Sequence, residues 1–105
     1  MTPEISQAFI ERFTKHYNEF SLSNPVVSDL LNDLIVSIRQ QDEAVYTDDQ
    51  SPEMYEGIQN SVQVHLDALL QELKYIFEEM PDELTQNTLK DCFLFKKSLK
   101  ERTSE

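Results

Sequence analysis

The chain has 105 residues, 39% of them apolar, with six phenylalanines, four tyrosines and a formal net charge of −11. That length supports one domain with one modest core, and that charge repels nucleic-acid phosphates and anionic membrane surfaces, which argues against direct binding to either. A single cysteine, Cys92, cannot close an intramolecular disulfide, and no apolar run approaches the ~20 residues that span a bilayer. With no basic N-terminal region leading into an apolar run, the chain reads as soluble and cytoplasmic.

The acidic excess is uneven: residues 21–83 hold fourteen acidic side chains against only Arg39 and Lys74, whereas residues 84–105 are net basic. One glycine and long 3.6-periodic apolar stripes leave strands little support. The four prolines each stand in a boundary context, at Thr2-Pro3-Glu4, Asn24-Pro25-Val26, Ser51-Pro52-Glu53 and Met80-Pro81-Asp82. In the first three, a side-chain oxygen can cap the free amides while proline takes the first helical position, where its missing N–H costs nothing.

The first helix is expected from about Pro3 to Phe20, with Ile5, Phe9, Phe13, His16, Tyr17 and Phe20 on one face. After the short linker SLSN, a second helix runs from about Pro25 to Ala44 or Tyr46, with Val27, Leu30, Leu31, Leu34, Ile35, Ile38 and Val45 inward. Its far side carries Asp29, Asp33, Glu43 and the stray apolar Val36. The third helix is the longest, from about Pro52 to Glu79. Its core stripe is Tyr55, Ile58, Val62, Leu66, Leu69, Leu73, Ile76, Phe77 and Met80, and a thinner second line holds Val64, Ala68 and Tyr75. Gly57 in its early turns weakens it by up to ~1 kcal/mol relative to alanine. The fourth helix is expected from about Glu83 to Arg102, with Leu89, Cys92, Phe93, Phe95 and Leu99 on its core face and Leu94 directed elsewhere. Short connections favour antiparallel neighbours. The predicted fold is all-α, a single-domain up-down antiparallel four-helix bundle with a long third helix.

Catalytic and cofactor chemistry find little here. The acidic stretch TDDQSPEMYEG fails as a calcium loop: counted from Asp48, its third position is Gln50, its fifth Pro52 and its sixth Glu53 where glycine is needed. Zinc would have to draw on His16, His65 and Cys92, no two of which share a helical turn. A Glu-x-x-His di-iron pattern is blocked by Phe13 and Val62 three residues before the histidines. His65 lacks the lysine and glycine that phosphotransfer histidines carry three and four positions later, where Ala68 and Leu69 stand. Cys92 sits in an apolar setting that raises a thiol pKa and makes it inert. The Glu78/Glu79 and Asp82/Glu83 carboxylates lack a second acidic helix to face. No catalytic, cofactor or metal site is predicted, and the chain is read as a non-enzyme.

What remains is surface. The sequence predicts a small acidic module that docks on a protein with a basic surface, as an inhibitor, an immunity or antitoxin-like factor, an adaptor or a chaperone. The candidate contact residues are Asp29, Asp33, Asp42, Glu43, Asp48, Asp49, Glu53 and Glu56, which would steer encounter, and the apolar Val36, Val64, Tyr75 and Leu94, which would lock it. The line on helix three also suits a homodimer. The alternatives are mimicry of nucleic acid toward a DNA-binding protein, or a phosphorelay or helical enzyme using His65 or the Glu78–Glu83 carboxylates.

Overall fold

The computed structural model describes the backbone of residues 3–45 and 52–103 and the side chains of 6–41 and 60–99. Four helices follow in chain order: α1 Pro3–Phe20, α2 Pro25–Val45, α3 Pro52–Glu79 and α4 Glu83–Thr103. Each packs on its neighbour in sequence and α4 returns to α1, while the diagonal pairs make no close approach among the described residues. This is the up-down antiparallel four-helix bundle that the periodicity predicts. The 28 residues of α3 extend roughly 42 Å at 1.5 Å per residue. They therefore run nearly the whole 45 Å long axis of the molecule.

The helix starts follow from capping chemistry. Asn24 Oδ1 accepts the Val27 N–H at 3.3 Å while the Asn24 carbonyl takes the Ser28 N–H at 3.1 Å. Asp82 repeats the arrangement at the head of α4, its Oδ1 accepting the Thr85 N–H at 2.6 Å and its carbonyl the Gln86 N–H at 3.1 Å. Each cap satisfies an amide that has no partner within its own helix. The proposed caps Thr2 and Ser51 lie outside the described residues.

The core gathers Phe9, Ile10, Phe13 and Phe20 of α1, Val27, Leu31, Leu34, Ile35 and Ile38 of α2, Val62, Leu66, Leu69, Leu70 and Leu73 of α3, and Cys92 and Phe95 of α4. Phe9, Phe13 and Phe95 form an aromatic trio with ring centroids 5.0–6.0 Å apart, a spacing at which tilted rings attract beyond their burial. Tyr17, Leu30, Ile76, Leu89 and Leu99 pack on this core at its margins. The expected core positions Ile5, Val45, Tyr55 and Ile58 have side chains outside the described residues.

Two expected core residues are corrected. Met80 is 70% exposed, because α3 ends at Glu79 and the stripe's next position falls in the connection. Phe93 is 47% exposed and lies on the flank of α4 instead of its core face, with the Lys74 ammonium 5.4 Å above its ring. The face α4 does bury includes Thr85 and Thr88 together with Cys92 and Phe95. Hydrophobicity alone misses such a face, since threonine scores as polar. Thr88 is accommodated by donating its hydroxyl to the Leu84 carbonyl at 2.8 Å, and buried Ser28 and Ser37 bond to carbonyls of their own helix in the same way.

Candidate functional site

The seam between α1 and α4 is where polar chemistry concentrates among the described residues. On α1, Arg12 and His16 are one turn apart and therefore share the side facing α4. The register of the antiparallel pair brings Asp91 of α4 against both. His16 Nε2 lies 2.7 Å from Asp91 Oδ2, and Arg12 Nη1 lies 3.5 Å from Asp91 Oδ1. One carboxylate thus engages both α1 side chains with its two oxygens. A carboxylate only accepts, which assigns the ring hydrogen to His16 Nε2 and, in the neutral ring, leaves Nδ1 as a bare acceptor. Nδ1 is buried and has no hydrogen-bond partner among the described residues.

The burial is graded across this tie. The His16 side chain is 9% exposed, that of Asp91 19% and that of Arg12 54%. The guanidinium also sits 5.9 Å from the centroid of the Phe9 ring, so it is held between a carboxylate below and an aromatic face beside it. Above the tie the seam opens into a cleft of about 270 Å³ lined by Arg12, Lys15, His16, Asn87, Lys90 and Asp91.

Beside Asp91, Cys92 is buried as a free thiol. Burial, and then the neighbouring Asp91 charge, push its pKa up from 9.0 to about 12. A thiol held that far from its thiolate is a packing group and not a nucleophile.

The residues singled out from the sequence fall elsewhere. Asp29, Asp33 and Val36 are exposed on the outward side of α2, and Val64 and Tyr75 are exposed on the outward side of α3, some 16 Å apart along its axis at 1.5 Å per residue. Ala68 between them is half-buried, and Leu94 is 47% exposed on α4. The side chains of Asp42, Glu43, Asp48, Asp49, Glu53 and Glu56 lie outside the described residues. His65 is half-buried at the edge of the α3 core face, and Glu78, Glu79, Asp82 and Glu83 are exposed at the α3–α4 connection, where Asp82 serves as the α4 cap. Among the described residues, no three His, Cys, Asp or Glu side chains converge as a cation's ligands would, and no helix is long and apolar enough to cross a membrane.

The periodicity puts His16 on a core face but does not point to Arg12, Lys15, Asn87, Lys90 or Asp91 around it. One signal was available. A histidine among phenylalanines needs a polar partner once buried, and Asp91 is the acidic residue next to the core face of α4.

A second feature lies at one end of the bundle. Because neighbouring helices alternate in direction, the connections 21–24 and 80–82 lie at the same end of the bundle. Leu22, Val26 and Met80 are there, 97%, 57% and 70% exposed.

No family model matches the sequence, and no curated protein or solved structure matches it.

Proposed function

We propose that this chain is a small acidic, non-catalytic protein-binding module. The observation that carries the reading is the set of large apolar side chains left outside the core formed by the described residues: Val36, Val64, Tyr75 and Leu94, each 44–64% exposed. Apolar groups turned to water on an outer helix face gain by being covered. The net charge of −11 favours a partner with a basic surface by raising its encounter rate and setting its orientation. Acidic residues of 42–56 would contribute to that field. A lone cysteine kept as a buried thiol suits a reducing compartment such as the cytoplasm.

The test is affinity capture from the source lysate with the wild-type chain and with a Val64→Ser/Tyr75→Ser variant, washed first at low and then at high salt. The expected result is a protein held by the wild type and lost by the variant, with binding weakened by salt. Equal capture by both chains would remove the α3 face from the reading. Recovery of only the same chain, with matching dimerisation in sedimentation, would replace a foreign partner by a second copy.

A further inference from the structure

We propose that the α1–α4 cleft is an anion site that takes a phosphate group. Its lining holds Arg12, Lys15 and Lys90 against the single carboxylate of Asp91. Those four groups leave two positive charges, which complement a phosphate dianion better than a single carboxylate. Three of the chain's nine basic residues meet here, on a molecule whose acidic residues outnumber them twenty to nine.

The site is also ordered from beneath. Asp91 is occupied by His16 at 2.7 Å and Arg12 at 3.5 Å, so its charge is directed into the seam. The Arg12 guanidinium is positioned by that contact and by the Phe9 ring, with more than half of its side chain still open to solvent. A planar fork held in place in this way loses little freedom when it binds oxyanions. Lys15 and Lys90, both exposed, stand on the two helices of the seam, and Asn87 adds an amide donor to the lining.

Two magnitudes decide what fits and whether the negative molecule forbids it. The cleft volume of about 270 Å³ falls just below the ~300 Å³ at which sites for drug-sized ligands begin, so the fit is a phosphate or a small phosphate ester and not a whole nucleotide cofactor. The charge of the rest of the molecule is attenuated over a Debye length of ~8 Å at physiological ionic strength. Glu11 and Glu19, one turn to either side of Lys15, lie within that length at about 5–6 Å between Cβ atoms, but neither lines the cleft. Among the residues that line the cleft itself, cations outnumber carboxylates three to one. This inference stands apart from the apolar faces and holds whether or not they dock a protein.

The experiment is a titration of the full chain, followed by backbone amide NMR, with inorganic phosphate, with phenyl phosphate, and with chloride at matched ionic strength. Saturable shifts confined to residues around Lys15, Asn87 and Lys90 are expected with a phosphate ligand and not with chloride. Tighter binding of the ester would point to an esterified source, and tighter binding of the inorganic ion to free phosphate. Lys90→Gln, an exposed change that leaves the fold intact, should weaken the binding about two- to fivefold, as loss of one solvent-exposed charge contact does. Lys97→Gln, on the same helix but outside the cleft, should leave it unchanged. Shifts that follow ionic strength alone, no saturable shifts, or equal weakening by both lysine variants would overturn the proposal.

Discussion

The two halves of the bundle are held together by different physics. The α2–α3 half buries large aliphatic side chains, from Val27 to Ile38 on one helix and from Val62 to Leu73 on the other, and these helices pack together more extensively than α1 and α4 do. Its buried serines bond to carbonyls of their own helix. Only Gln41, fully buried with its amide unpartnered among the described residues, interrupts the pattern. The α1–α4 half brings together three phenylalanine rings, two buried threonines, a buried thiol and the His16–Asp91–Arg12 tie. Aliphatic packing is non-directional, so it tolerates small shifts. A charged tie is directional, and it stabilises only when every member is present. A functional site is more readily built on the second kind of seam, where polar groups are already held in place.

The largest test of this contrast lies in the aliphatic half. Leu69→Ala removes a fully buried side chain and should cost about 2–5 kcal/mol in urea unfolding, the range for such cavities. In the polar seam, Asp91→Ala should cost about 1–3 kcal/mol, because the buried His16 Nε2 is left without its acceptor. Replacing both partners, as His16→Leu/Asp91→Leu, should restore part of that loss, since no buried polar group of the tie is left unpaired and the half-exposed Arg12 stays hydrated. A double variant less stable than Asp91→Ala alone would break the comparison.

The thiol sharpens it further through pH. The folded state holds the Cys92 proton up to about pH 12, whereas an unfolded thiol releases it near 9.0. Above pH 9 the unfolded chain thus binds fewer protons than the folded one, and stability falls as pH rises. The contribution is fully present below pH 9 and is lost progressively toward 12. A Cys92→Val chain should show a shallower decline in melting temperature across that window, and the native thiol should resist alkylation at pH 8 until the chain is unfolded.

The smallest expected effect lies on the α2–α3 half, away from its buried face. Gly57 is exposed in α3, a Cβ there would meet nothing within 4 Å, and its φ is not positive. Gly57→Ala should therefore stabilise the chain by up to ~1 kcal/mol through lower unfolded-state entropy and better helix propensity. Destabilisation on thermal melting would mean that α3 departs from regular helix near its start.

Much of this molecule is local, and that part was legible from residue order alone. Prolines and caps mark where helices start because φ restriction and orphan amides are properties of a few consecutive residues. The stripes of α1, α2 and α3 identify their buried faces because those helices are strongly amphipathic. α4 is the least so, so its pattern points Phe93 inward and gives no sign of the buried Thr85 and Thr88. The sequence by itself determined four helices, their bounds to within a residue or two, and most of the core. Only the tertiary structure decided that Asp91 meets His16 and Arg12 across 75 and 79 residues of chain, since that pairing depends on the register of two packed helices. The basic cleft of Arg12, Lys15 and Lys90 has the same origin. Cations scattered through an acidic sequence become a site only when two helices turn the right sides toward one seam.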